Sequence, residues 1–263
     1  MVRLKVAAVQ TSPVFGEVER NIDAALDLVP AGQDLAVLPE LFASGYQFRG
    51  REELAVFAET LDGPSCTRLR AHAAATGTTL VAGLAERAGD HIYNSSVLVR
   101  PDGTTELYRK VHLFWDEKVL FKPGDLGFPV FAACGTTVGM MICFDWVFPE
   151  AARSLALAGA QVICHPSNLV LPFCPDAMIT RSLENRVFSV TTNRVGAEER
   201  IAGKRLEFIG LSQICGPGGA YLERLGRDET GAATAELDLA DASPRLTPRN
   251  DLWEDRRPDQ YRA

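Results

Sequence analysis

Short, nearly continuous apolar runs alternate along the chain with stretches whose apolar residues recur at helical spacing. LKVAAVQ (4–10) reads as a buried strand, and VERNIDAALDLV (18–29) places Ile22, Leu26 and Val29 on one helical face. DLAVLPE (34–40) predicts a second strand, and SCTRLRAHAAATG (65–77) a helix with Ser65 as N-cap and Gly77 as its stop. TTLVAGLAE (78–86), YNSSVLVR (93–100) and TTELYRK (104–110) predict three strands, the last two turned by PDG. Next come a strand in TTVGMMIC (136–143), a helix in PEAARSLALAG (149–159) and a strand in AQVICH (160–165). PDAMITRSLENR (175–186) reads as helix and VFSVTTNR (187–194) as strand. FIGLSQICGPGGAYLERL (208–225) predicts a hairpin turned by Gly216 to Gly219, and TAELDL (234–239) a final strand.

This alternation indicates a mixed α/β fold, sheets covered by helices. No internal repeat, low-complexity segment or Pro/Ser-rich linker divides the chain, so residues 1–263 are expected to form one domain. At 263 residues and 46% hydrophobic content it can bury a sizeable core. The charge of -7, with no basic block, argues against nucleic acid and an anionic membrane as partners. MVRLKVAAVQTSP lacks the uninterrupted apolar core of a signal peptide, and no apolar run is long enough to span a bilayer. The expectation is a cytoplasmic protein. Its six cysteines (66, 134, 143, 164, 174 and 215) include no C-x-x-C pair and no neighbouring H-x-x-x-H, so neither a metal nor a cofactor is expected. The tail RNDLWEDRRPDQYRA (249–263) is polar and Arg-rich around one Trp, and needs a surface to lie on.

In α/β sheets, ligands bind beyond the carboxyl ends of strands. Those ends carry Glu40 after LAVLP, Lys110 after ELYR and Cys143 after GMMI. Taken singly, a strand-end Glu or Lys reads as a rim charge and a lone Cys as core packing. Together they describe a thiol hydrolase. A carboxylate accepts the thiol proton, while an ammonium holds the thiolate and then the oxyanion of a tetrahedral intermediate. The expectation is a sulfur already ionised between the two charges. A Cys–His pair drawing on His112 or His165 is the competing arrangement, but no cysteine-protease signature supports it.

Three segments carry a resemblance. LPELFASGY (38–46), YRKVHLFWDEKVLFKPG (108–124) and ICFDWVFPEAAR (142–153) resemble, in order and spacing, the signature segments of the nitrilase superfamily, the carbon–nitrogen hydrolases. MITRSLENRVFSVTTNRVG (178–196) and IGLSQICGPGG (209–219) resemble its downstream pattern. The resemblance implies a single-domain, four-layer αββα sandwich with Glu40 as general base, Lys110 as oxyanion stabiliser and Cys143 as nucleophile. It maps a second glutamate onto Glu117, orienting Lys110, and makes the Phe144 backbone N–H a second oxyanion donor. It also implies a homodimer or larger homo-oligomer, meeting through FPEAARSLALAG and the C-terminal tail. The Phe144-Asp145 flank places the chain nearer the amidase branches than the nitrilases that carry Trp-Glu there, although it is also similar to archaeal nitrilase-like proteins. The expected substrate is a small neutral or aliphatic amide, the product an acid plus ammonia. The alternatives are a nitrile, an N-carbamoyl amine or amino acid, and a non-catalytic scaffold. The pocket is expected to draw on Tyr46, Trp115, Trp146, His165, Asn168, Leu169 and Phe173.

Overall fold

The computed structural model describes residues 2–261. The first half contains β1 (Arg3–Gln10), α1 (Val18–Asp27), β2 (Leu35–Val37), α2 (Arg51–Phe57), α3 (Pro64–Thr76), β3 (Thr79–Ala88), β4 (His91–Val99), β5 (Thr105–Arg109) and α4 (Glu117–Leu120). After it come β6 (Val130–Ala133), β7 (Thr136–Met140), α5 (Pro149–Leu157), β8 (Val162–Pro166), α6 (Cys174–Asn185) and β9 (Phe188–Thr192). A short ribbon of β10 (Ala197–Glu198) and β11 (Leu206–Glu207) precedes β12 (Gln213–Gly216), β13 (Ala220–Arg224) and β14 (Gly231–Asp238).

Two six-stranded sheets result, in the orders β14-β1-β2-β3-β4-β5 and β13-β12-β9-β8-β7-β6. Side-chain alternation along the strands builds the layers. Leu4, Val6 and Ala8 of β1 and Leu35 and Val37 of β2 pack with Val138, Met140 and Val162 of the second sheet. Ala7, Val9 and Ala36 point the other way, onto Ile22 and Leu26 of α1 and Leu69 and Ala73 of α3. On the far side, Leu155 of α5 and Met178 of α6 close over the second sheet. The chain is a single-domain αββα sandwich, as its motifs imply.

Two local expectations shift. The helix at 65–77 starts one residue earlier, at Pro64, and Ser65 is not its cap. Glu59 from the preceding turn accepts the Ser65 N–H (2.8 Å) instead, a carboxylate at the positive end of the helix. Within the tail, Trp253 packs against the main core, and the Arg153 guanidinium of α5 lies 5.1 Å from its ring. The tail therefore lies, at least at Trp253, on its own chain. Among the described residues no helix is long and apolar enough to cross a membrane.

Candidate active site

Both sheets deliver their reactive residues to one edge. β1, β2 and β3 run parallel, and β5 returns to that direction through two antiparallel steps, so the ends of β2 and β5 lie on the same side. Glu40 stands three residues past β2 and Lys110 immediately past β5. In the second sheet β7 and β8 are parallel, and Cys143 opens a 3-10 turn, Cys143–Val147, three residues past β7.

Close backbone contacts fix Glu40 and Lys110. Gly83 of β3 accepts the Phe42 N–H (3.1 Å) and donates to Pro39 O (3.1 Å). A Cβ on Gly83 would stand 2.5 Å from the Glu40 Cα, so only glycine lets the Glu40 turn seat on the strand. Gly124 likewise donates to Lys110 O at 2.9 Å, and a Cβ there would meet Arg109 O at 2.1 Å. Cys143 has a positive φ of 41°, a conformation that costs a β-carbon residue about 1 kcal/mol or more and is kept only where surroundings impose it.

Glu40 and Lys110 are fully buried. The Lys110 ammonium donates to Glu40 Oε1 (2.7 Å) and to Glu117, whose Oε2 lies at 2.8 Å. Asn94 of β4 adds a bond to Glu40 Oε1 (2.7 Å), while Asn168 donates to the Glu40 backbone carbonyl (2.9 Å). Glu117 is satisfied on every side, by Tyr46 O–H (2.7 Å) and the Phe114 N–H (3.0 Å) as well as Lys110. Glu40 Oε2, Asn94 Oδ1 and Asn168 Oδ1, by contrast, are buried acceptors without a partner.

Burial works to lower the Lys110 pKa, but Glu117 and Glu40 more than offset it and hold the ammonium above its ordinary value. Burial, reinforced by Glu117, raises the Glu40 carboxyl despite Lys110. The Cys143 thiol is pushed well above the usual range, by burial first and Glu40 second, against the opposing pull of Lys110. This corrects the expectation of an ionised resting sulfur: the desolvation of a buried thiolate outweighs one ammonium already shared by two carboxylates. Burial thus favours the protonated form of the Cys143 thiol, beside a Glu40 carboxyl group that keeps one oxygen free.

His165 is no partner for the sulfur. Its Nε2 donates to the Cys143 carbonyl (2.9 Å), its Nδ1 faces Thr191 Oγ1 (3.1 Å), and burial depresses its pKa to about 4. The imidazole is a neutral brace behind the turn. The first N–H groups of a helical turn lack intrahelical partners. The Phe144 N–H belongs to that set, next to the sulfur.

A cavity of about 540 Å³ opens beside Glu117, lined by Tyr46, Phe114, Trp115, Leu120, Phe121, Val170 and Leu171, and by Ile201 and Gly203 to Glu207 in and before β11. Of the seven residues expected around the substrate, Tyr46 and Trp115 line this cavity and the other five lie elsewhere. Trp146 is half-buried against the core, and its carbonyl accepts from Arg181 of α6 (3.2 Å). Leu169 is a core residue bound to Asn193 (2.8 Å), and Phe173 is exposed at the start of α6. His165 and Asn168 lie deeper, against Cys143 and Glu40. Arg194 is engaged by Glu198 and Pro13 O, leaving Arg205 as the arginine on the cavity wall. Two groups escaped the sequence reading. Asn94 sits within a buried polar Asn-Ser-Ser run inside an otherwise apolar strand, a visible signal, whereas the ribbon wall carries no periodic pattern. Among the described residues no three His, Cys, Asp or Glu side chains converge as a metal would need.

The sequence profile of the carbon–nitrogen hydrolase family matches residues 5–245. This chain belongs to that family. It is 46% identical to a nitrilase of Pyrococcus abyssi, over 98% of this chain and 99% of that protein. An (R)-stereoselective amidase of a Pseudomonas species is 37% identical over 90% and 85%. The solved carbon–nitrogen hydrolase of Helicobacter pylori superposes with a TM-score of 0.90 at 27% identity, covering 99% of this chain and 97% of that one. This carbon–nitrogen hydrolase thus stands close to relatives named for both amide and nitrile chemistry.

Proposed function

We propose that this carbon–nitrogen hydrolase converts a small, neutral or aliphatic carboxamide to the carboxylic acid and ammonia through a thioester on Cys143. The observation that carries the amide reading is the group of unpartnered buried acceptors around Glu40. A buried acceptor without a donor is costly, and a carboxamide brings two N–H donors. A nitrile nitrogen brings none.

In this reading Glu40 Oε2 takes the thiol proton as the sulfur attacks the carbonyl carbon. The oxyanion is held by the Lys110 ammonium and the Phe144 N–H, donors already fixed before charge develops. Lys110 stays protonated, because Glu117 still holds it while Glu40 carries the thiol proton. Glu40 then passes its proton to the nitrogen, the C–N bond breaks and ammonia leaves. Water enters, loses a proton to Glu40 and adds to the thioester; collapse expels the sulfur, which regains that proton, and releases the acid. Glu117 orients Lys110 and is itself fixed by Tyr46, so the Tyr46 hydroxyl serves the glutamate rather than the substrate. The apolar side chains of Phe114, Leu120, Phe121 and Leu171 favour an aliphatic tail.

The similarity to the Pyrococcus abyssi nitrilase favours a second reading, attack on a nitrile through a thioimidate. Ammonia release from matched amide and nitrile pairs separates the two. Turnover of the amides, with an acyl adduct on Cys143 seen by mass spectrometry, is expected; turnover of nitriles alone overturns the amide assignment.

A further inference from the structure

Lys110 and Cys143 belong to different sheets. β5 and β7 share no hydrogen-bonded ladder, and the layer between the sheets is largely apolar. Apolar packing is non-directional, so it cannot by itself fix one ammonium against one sulfur to a fraction of an ångström. One carboxylate crosses the gap. Asp145 is fully buried in the turn that Cys143 opens, and each of its oxygens accepts two hydrogen bonds. Oδ2 receives the Ile142 N–H (2.8 Å), from the residue before the nucleophile, and the Tyr108 O–H (2.6 Å). Oδ1 receives the His112 N–H (3.0 Å) and faces His112 Nδ1 at 2.8 Å. Since the carboxylate only accepts, Nδ1 is the donor.

The donors bracket the two reacting groups. Tyr108 and His112 stand two residues either side of Lys110, while Ile142 and Asp145 flank Cys143. The clamp is stiffened from outside. The His112 ring stacks on Phe148, just past the nucleophile turn, with centroids 3.7 Å apart and planes within 11°. The Tyr108 hydroxyl also accepts the Val111 N–H (3.2 Å), tying the lysine loop back on itself. Thus three of the four bonds to this carboxylate come from the segment that carries the ammonium, and the fourth from the strand end that carries the sulfur.

We propose that Asp145, held by His112 and Tyr108, is the positioning residue that sets the Lys110 ammonium against the Cys143 sulfur across the two sheets. The proposal rests on the catalytic reading above but not on the choice of amide or nitrile. His112, the histidine two residues past the lysine, acts here through Asp145 and touches no reacting atom.

The test compares Asp145→Asn, His112→Phe and His112→Asn. An asparagine at 145 turns one oxygen into a donor and loses one of the two pairs of bonds; kcat should fall about 100-fold with KM moving less than about threefold. His112→Phe keeps the stacking and the backbone bond but not the imidazole bond, and should lower kcat roughly tenfold. His112→Asn places an amide N–H where Nδ1 stood and should restore kcat to within about threefold of the parent. The rate of Cys143 alkylation by iodoacetamide, read by intact-protein mass, should drop in Asp145→Asn and His112→Phe and recover in His112→Asn. That readout needs no substrate, so it holds even where the amidase reading fails. His112→Phe with parental kcat and alkylation overturns the proposal. So does an equal loss in both His112 variants that tracks a drop in unfolding temperature, since that marks ordinary packing. If Asp145→Asn does not fold, the two His112 variants decide alone.

Discussion

Two ion pairs in this protein are buried almost alike, and only one belongs to the candidate site. Arg194 and Glu198 pair behind the cavity, at 2% and 5% exposure; Lys110 and Glu40 pair at the strand ends with none. The first pair is closed. Arg194 donates to Glu198 and to Pro13 O (2.9 Å), and Glu198 also accepts the N–H groups of Tyr46 (3.2 Å) and Gln47 (2.6 Å). The second is open, because Glu40 keeps one buried oxygen without a donor beside a thiol whose pKa burial raises. Burial and charge therefore do not distinguish a reaction centre from a structural brace. What sets the second pair apart is the open acceptor on Glu40.

The sharpest break between the pairs comes from matched carboxamide substitutions. Glu40→Gln should lower kcat for ammonia release about 1000-fold, because the base is lost. It should leave stability within about 1 kcal/mol, since Lys110 retains Glu117 as a buried partner. Glu198→Gln should do the reverse. Stranding the buried Arg194 costs about 3 kcal/mol in urea unfolding, with kcat changing less than about tenfold.

His165 provides a second contrast, one read in stability. Its pKa is depressed to about 4 by burial, against an ordinary value of 6.5. Between those values the unfolded chain holds a proton that the folded chain does not, so its contribution is present above pH 6.5 and lost as pH falls through about 4. The loss should reach about 3 kcal/mol, and a His165→Gln protein should show a correspondingly flatter urea midpoint between pH 7 and 4.

Gly83→Ala tests the Glu40 side through the backbone alone. The new methyl must displace the Glu40 turn, and kcat should fall about 100-fold while the Cys143 thiol remains titratable. The smallest effect is in pH. Glu40 has to be ionised to act, and its pKa is raised, so the acid limb of kcat/KM should lie above the ordinary carboxylate range. The same raised pKa stabilises the folded chain at low pH and loses that contribution as pH rises through it. Activity lost on that limb should therefore precede any unfolding caused by this group.

The convergence of Glu40, Lys110 and Cys143 was legible because the apolar runs stop at them, and strand ends are visible in a sequence. The pocket wall was not. Trp146 and Phe173 are aromatic residues near the right strand ends, but neither aromatic character nor nearness in sequence says which way a ring points. Part of the cavity wall comes instead from β11 and the loop before it, and the two-residue strands of the β10–β11 ribbon carry no readable period. The state of the sulfur was equally hidden. The three residue types show that both charges are present, but only their burial shows that desolvation outweighs the ammonium. Asp145 was visible only as a flank of the nucleophile; its bonds to Tyr108 and His112 span more than thirty residues of sequence.

Whether Glu40 Oε2 must take the thiol proton before Cys143 attacks can be read from the mass of Glu40→Gln protein mixed with excess aliphatic amide. The Glu40→Gln chain should stay folded and unmodified, while the parent enzyme shows an acyl adduct on Cys143. An adduct forming on Glu40→Gln protein at the parental rate would contradict that requirement.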